Sequence, residues 1–266
     1  MKIRLLSDLH IECYPFEIPR LVDDLDTVLV LAGDIGTIQR RSELEAFLRQ
    51  ACLQFRAVIY VLGNHEYYHH SWPDALKDIR GWALPNNLYL MERDVIEIDD
   101  VAFLGATLWT DFDGGSPMSM MRCLQGMMDF EVIESSGGEP GTVRLSPMQI
   151  FDYHRQTVSW LSEAMQQARG RNRAVVVVCH HGVSRRSIHP MYATSTLNGG
   201  FVSDLEALWQ DGCPDLVLHG HVHSSFRYEI PTRLGATQVV VNPRGYTQQE
   251  DTQENGAFDP RLLLEV

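Results

Sequence analysis

Five short stretches of this sequence gather side chains that bind metal ions or move protons: Ser7-Asp8-Leu9-His10, Gly33-Asp34, Gly63-Asn64-His65-Glu66, Cys179-His180-His181-Gly182 and His219-Gly220-His221-Val222-His223. Carboxylate oxygen, imidazole nitrogen and amide oxygen form the borderline-to-hard donor set that holds Mn, Fe, Zn, Co or Ni while leaving positions for water. Asp8, His10, Asp34, Asn64, His180, His221 and His223 are more donors than one such ion takes with a position left open, so two ions are the economical solution. A carboxylate shared by two ions holds them roughly 3.5–4 Å apart, and a hydroxide between them is a nucleophile at neutral pH suited to phosphoryl transfer.

Those residues need elements that deliver them to one place. Residues 3–6, 27–32 and 58–62 are apolar runs read as buried strands, each ending in one of the stretches above. Between the second and third, Ser42-Glu43-Leu44-Glu45 reads as a capping box, and Leu44, Phe47, Leu48, Cys52 and Phe55 follow at helical spacing. Strand, helix, strand predicts parallel pairing. Residues 72–87 read as a loop or helical connection, and 88–91, 95–98 and 101–109 as strands of a meander-like middle with a turn at Asp99-Asp100. Residues 111–147, rich in Gly, Ser and Met, read as an irregular excursion and a candidate lid within a single domain over 1–266.

Ser146, Pro147 and Gln149 start a helix whose face Ile150, Tyr153, Thr157, Trp160, Leu161 and Ala164 turns inward. A strand at 174–179, a second predicted capping box at Ser203-Asp204-Leu205-Glu206, and strands at 216–218, 226–230, 238–241 and 262–266 complete the chain. Ligands of α/β sheets bind beyond the carboxyl ends of strands, so the five stretches can share one crevice.

In order and in kind the stretches resemble the signature of the calcineurin-like metallophosphoesterases: Asp-x-His, Gly-Asp, Gly-Asn-His-Asp/Glu, a later His, and Gly-His-x-His. The matching residues span positions 8 to 223. The resemblance implies an α/β fold, a four-layer αββα sandwich with two mixed β-sheets, and hydrolysis of a phosphate ester by in-line attack of a metal-bridging hydroxide. It implies that Asp8, His10 and His223 bind one ion, that Asn64, His180 and His221 bind the other, and that Asp34 bridges them. His65 is implied to lie outside the metal shell and to assist the leaving group. The ligand role goes to His180 rather than His181 because the family's His stands four residues before a Ser, here Ser184. The expected cofactors are two divalent transition-metal ions, with manganese favoured, and the expected substrate is a small phosphorylated molecule of phosphodiester or nucleotide type. A phosphomonoesterase or protein phosphatase, and from another class a non-catalytic metal-binding protein, are the rival readings.

Composition bounds the rest. The 22 Lys+Arg against 35 Asp+Glu leave a net charge of −13, which opposes stable association with nucleic acid or anionic membranes. The run Ala174-Val175-Val176-Val177-Val178-Cys179 is far shorter than a membrane span, and the N-terminus lacks a signal pattern, so a cytoplasmic location is expected. Five scattered cysteines without a Cys-x-x-Cys pair read as free thiols. Arg244 has two open readings, a phosphate clamp or a salt-bridged loop residue. Met118, Met120, Met121, Met127 and Met128 read as core packing or as an adaptable lid surface. His69, His70, His154 and His189 have no motif support and read as solvated or hydrogen-bonded, and His219 as a support behind the site.

Overall fold

A run such as Val28-Leu29-Val30-Leu31 puts apolar side chains on both faces of a strand, and a strand of that kind needs a layer on either side. The computed structural model describes residues 1–135, 143–171, 173–249 and 252–266. Its first half runs β1 (Lys2–Leu6), β2 (Thr27–Ala32), α1 (Arg41–Gln54), β3 (Ala57–Val61), β4 (Ser71–Trp72), α2 (Asp74–Arg80), β5 (Leu88–Met91), β6 (Asp94–Ile98) and β7 (Val101–Ala106). The second half runs α3 (Phe112–Gly115), α4 (Pro117–Gly126), α5 (Asp129–Val132), β8 (Glu134–Ser135), α6 (Pro147–Gly170), β9 (Ala174–Cys179), α7 (Glu206–Gly212), β10 (Leu216–His219), β11 (Phe226–Thr232), β12 (Gly235–Val241) and β13 (Leu263–Glu265).

Two mixed sheets result. One has the order β13-β1-β2-β3-β5 and is parallel except for β13. The other has the order β11-β12-β10-β9-β7-β6, parallel in its centre with antiparallel edges. Alternation along each strand divides the apolar side chains among three cores. Val28, Val30 and Ile59 of the first sheet meet Phe103, Val176, Val178 and Leu218 of the second in a core between the sheets. Leu29, Leu31 and Tyr60 face outward onto Leu44 and Leu48 of α1, while Val175, Val177 and Val217 face Leu161 and Met165 of α6 and Trp209 of α7. Each fully buried aliphatic side chain contributes roughly 1.5–3 kcal/mol, so the two-sheet frame that carries the site is rigid. This is the αββα sandwich expected from the sequence. No helix among the described residues is long and apolar enough to cross a membrane.

Several local expectations give way to tertiary structure. The middle is not one meander: β5 joins the first sheet beside β3, whereas β6 and β7 form a hairpin in the second. Ser42 does not cap α1, because the chain is already helical through a 3-10 turn at Ile38–Arg40 and Arg40 occupies the cap position. Ser203 does not cap α7 either: its hydroxyl accepts the Asp111 N–H and Glu206 accepts the Ser184 hydroxyl, so both ends of that box have distant partners. The box at Ser146 forms as expected. The described residues of 111–147 form short helices and a strand where an irregular excursion was expected. α3 is a single turn with positive φ at Phe112, Asp113, Gly114 and Gly115, α4 and α5 follow, and β8 pairs with β4. Residues 136–142 of that segment lie outside the described residues.

Candidate metal centre

Strands β1, β2, β3, β9 and β10 end on one side of the two sheets, and the backbone then turns sharply to aim side chains back over the strand ends. Asp8 (φ 50°), His10 (φ 45°), Asp34 (φ 54°), His221 (φ 67°) and His223 (φ 45°) all sit in the left-handed region. For a residue with a Cβ that conformation costs on the order of 1–3 kcal/mol and persists only where other contacts impose it. Here the loops brace one another. Asp8 N–H donates to the Gly33 carbonyl (2.9 Å), His10 N–H to the Asp34 carbonyl (3.1 Å), and His221 N–H to the Asp8 carboxylate (2.9 Å). The glycines of the motifs make this approach possible: a Cβ on Gly63 would collide with Asp34 Oδ1, and one on Gly220 with Asp8 Oδ2.

The side chains so delivered fall into two adjoining sets. Ligand atoms of Asp8, His10 and His223 lie within 4.8 Å of one another, as do those of Asp34, His180 and His221, and those of His10, Asp34 and His65. Asn64 Oδ1 joins the second set, 3.1 Å from His180 Nε2. Asp34 Oδ2 lies 3.3 Å from His180 Nε2 and 4.0 Å from His10 Nε2, within reach of both sets. All seven predicted ligands are therefore brought together.

The donor atoms fit cations. His10 Nε2 faces His223 Nε2 at 3.2 Å, and His180 Nε2 faces His221 Nδ1 at 3.2 Å, an arrangement in which a cation can take the lone pairs of both nitrogens of each pair. His221 Nε2 is buried without any partner. Electrostatics agrees. Burial alone would depress the His180 and His223 pKa values, but Asp34 for the first and Asp8 with Glu254 for the second push them up, to about 9 and about 10. Their opposite numbers His221 and His10 are pulled down, mainly by burial. The buried carboxylates thus create a field at these nitrogens that favours positive charge, as a cation site requires.

An outer ring of partners orients these groups, and most of it went unnoticed in the sequence. Glu12 Oε1 stands 3.2 Å from His10 Nδ1 and 3.3 Å from His65 Nδ1, bonds that overcome burial and bring the carboxyl down to about 2. The Ala32 carbonyl faces His180 Nδ1 at 2.9 Å, Glu254 faces His223 Nδ1 at 2.6 Å, and Asp129 accepts from Asn64 Nδ2 at 2.8 Å. Glu66 accepts the backbone N–H groups of Asp34 (3.0 Å), Ile35 (2.7 Å) and Gly63 (2.6 Å) together with the Tyr60 hydroxyl, tying the second and third motif loops together. His65 itself lies between Glu12 and the Tyr246 hydroxyl, 2.9 Å from its Nε2, and stacks on Tyr68 with ring centroids 4.0 Å apart. Burial would lower its pKa, but Asp34 and Glu12 outweigh that and raise it. A carboxylate two residues after His10 and the glutamate closing the third motif were the available signals. Nothing in the sequence pointed to Asp129, Tyr246 or Glu254.

The remaining candidates take other places. His181 Nδ1 faces the Thr107 carbonyl at 3.3 Å, and its ring packs on His221 behind the second set. His219 bonds Ser187 Oγ (2.9 Å), and buried His154 faces the Leu108 carbonyl (3.2 Å). Arg244 fits neither of its readings: its guanidinium is buried and donates to the carbonyls of Leu9, Tyr14 and Pro15, with Phe16 beneath it, so it fastens the loop after β1. Of the methionines, Met127 and Met128 line a cavity beside the metal centre. All five cysteines are free.

Comparison with known proteins bears on this arrangement. A family model described as calcineurin-like phosphoesterase matches residues 1–225. An uncharacterized protein of Acanthamoeba polyphaga mimivirus is 23% identical over 99% of this chain and 96% of its own. Among solved structures, the phosphopantetheinyl hydrolase PptH of Mycobacterium tuberculosis superposes with a TM-score of 0.57 at 14% identity, covering 92% of this chain and 89% of that one. A dimetal phosphatase from Danio rerio superposes with a TM-score of 0.50 at 17% identity, covering 93% and 88%.

Proposed function

The chain belongs to the calcineurin-like phosphoesterases and is a metal-dependent hydrolase of phosphate esters, and from that premise we propose that it cleaves a phosphodiester or nucleotide-type ester at the centre formed by Asp8, His10, Asp34, Asn64, His180, His221 and His223. The observation that carries the reading is the facing of nitrogen pairs, His10 with His223 and His180 with His221, around a carboxylate that reaches both. Asp8, His10 and His223 would hold one divalent ion, Asn64, His180 and His221 the other, with Asp34 shared; manganese is the proposed metal. When bound, such ions lower the pKa of water and draw charge from phosphoryl oxygens.

The chain's own groups do the rest. Glu12 holds His65 through Nδ1, which leaves Nε2 to hand a hydrogen bond or proton to the departing ester oxygen once substrate displaces the Tyr246 hydroxyl. Asp34 Oδ1 accepts the backbone N–H of His65 at 2.8 Å, so the shared carboxylate is tied to the loop that carries the imidazole. A cavity of about 370 Å³ opening from the centre gives an organic substituent room beside the phosphorus, which favours an ester with a sizeable alcohol. The test is the initial rate on a chromogenic phosphodiester and the matching monoester, with chelated protein reloaded with Mn²⁺ beside Asp34→Asn. Metal-dependent turnover absent from the variant, and faster on the diester, is expected. Two bound ions with no turnover on either ester would favour the non-catalytic rival.

A further inference from the structure

The cavity beside the metal centre has a wall of unusual composition for a site that handles phosphate. Apart from the residues of the centre itself, its lining is dominated by Met127, Met128, Ile188, Tyr192, Leu197 and Phe201. Among the described residues no lysine or arginine contributes to it. Its carboxylates are committed: Asp129 accepts from Asn64 and Tyr68, and Glu254 bonds His223 and the Tyr246 N–H. Its neutral polar groups are largely committed too. Ser187 Oγ bonds His219 and Tyr228, Ser195 Oγ accepts the Leu197 N–H, and Asn198 Nδ2 donates to the Tyr192 carbonyl.

A charged group set against such a half-exposed wall gives up part of its water and meets no lysine or arginine there. Burying an unpaired ion costs several kcal/mol, whereas an apolar group gains about 25 cal/mol for each Å² it removes from water. The basic side chains Arg122 and Arg185 line an adjoining cavity of about 310 Å³ that meets this one at Ile188, Ser195, Asn198 and Val202, and there Arg185 is paired with Asp113 (3.2 Å). On the phosphoesterase reading of the metal centre, we infer that the substrate carries one phosphoryl group, bound at that centre, and that its ester group is uncharged and predominantly apolar or aromatic, filling the wall of Met128, Tyr192, Leu197 and Phe201. Polyphosphates and esters with an acidic group close to phosphorus are excluded by the same wall. Phe201, stacked on His221 with ring centroids 4.7 Å apart, joins the apolar wall directly to the centre.

Equilibrium binding of phosphonates to the metal-loaded protein tests this without turnover. Methylphosphonate, benzylphosphonate and 4-carboxybenzylphosphonate would be titrated calorimetrically. A phenyl ring that buries about 100 Å² gives benzylphosphonate an advantage of roughly 10- to 70-fold over methylphosphonate, and the carboxylate removes most of it. In Met128→Ser/Tyr192→Ser, both positions being about half exposed on the surface of the cavity, the benzyl-to-methyl ratio should fall towards one. Arg122→Ala, in the adjoining cavity, should leave the ratio intact. Equal affinities for benzyl- and methylphosphonate would overturn the inference alone. Tightest binding of the carboxylated compound, lost in Arg122→Ala, would overturn it in favour of an anionic substrate. Absence of binding by all three would overturn the phosphoesterase reading and the inference with it.

Discussion

Replacement of Glu12 separates the role of the outer carboxylate from that of the ligands. Its Oε1 contacts His10 Nδ1 at 3.2 Å and His65 Nδ1 at 3.3 Å, and with its pKa brought down to about 2 it is fully ionised at neutral pH. Charge-assisted bonds of good geometry are nearer 2.7–2.9 Å and contribute about 1.5–3 kcal/mol, so these longer ones are taken at about 1 kcal/mol each. Glu12→Ala removes both, but only the His10 bond bears on a metal ligand, so metal affinity should fall by about 1 kcal/mol, or roughly fivefold, while the His65 bond, also about 1 kcal/mol, bears on kcat. Glu12→Gln keeps an acceptor but not the charge and should lose about half of that, or roughly twofold in metal affinity. Competition with a chromogenic chelator reads metal affinity, and kcat on the chromogenic ester reads the effect on His65. Affinity should decline in the order Glu, Gln, Ala, and kcat should decline further than affinity because Glu12 also orients the imidazole beside the leaving group. An alanine variant with wild-type metal affinity and wild-type kcat would refute the reasoning.

Three further substitutions probe separate parts of the centre. Asp34→Asn removes the carboxylate within reach of both ligand sets and should abolish turnover while weakening metal binding, measured by ester hydrolysis and by metal content after dialysis; retained turnover would rule out a shared-ligand role. His65→Ala should lower kcat by about 10²- to 10⁴-fold yet leave both metals bound, and normal turnover in that variant would refute its role as proton donor. Arg244→Ala leaves the carbonyls of Leu9, Tyr14 and Pro15 without their donor and should cost about 3 kcal/mol in urea denaturation. A loss of substrate affinity without loss of stability would instead restore the phosphate-clamp reading of Arg244.

The parts of this protein legible in its sequence are those whose physics is local. A buried strand shows as an unbroken apolar run, and the turn that follows β2 shows as Gly33-Asp34 because the backbone must reverse where Asp34 meets the loops of β1 and β3. The αββα layering was implied only by resemblance, since no periodicity tells β5 to join the first sheet and β6 the second. Ser146 caps its helix and Ser42 does not, although the two sequences look alike, because the chain before Ser42 has already turned helical. The metal-facing side chains are legible because donor chemistry restricts residue type. Their supports are not, because an acceptor for an imidazole N–H can be a glutamate such as Glu12 or a backbone carbonyl such as that of Ala32. Arg244 shows the converse: guanidinium chemistry suited a phosphate, but three carbonyls of one loop engaged it first.

Charge makes substrate binding conditional on the metals. The chain carries a net −13, and among the described residues the cavity beside the centre is lined by carboxylates but by no lysine or arginine. In most phosphate sites arginine or lysine supplies part of the attraction independently of any metal. Here the positive charge opposite a phosphoryl group has to come from the ions held by Asp8, Asp34 and the histidines, whose own carboxylates and the neighbouring Asp129 and Glu254 otherwise repel it. Metal-stripped protein is therefore expected to bind benzylphosphonate at least about 100-fold more weakly than metal-loaded protein, a difference of about 2.7 kcal/mol in binding free energy. Because the apolar wall is unchanged by chelation, neutral benzyl alcohol should bind both forms alike, which separates loss of the phosphoryl anchor from collapse of the cavity. Undiminished phosphonate binding by the stripped protein would mean that a protein cation reaches the phosphoryl group, and would move attention to Arg122 and Arg185 in the adjoining cavity.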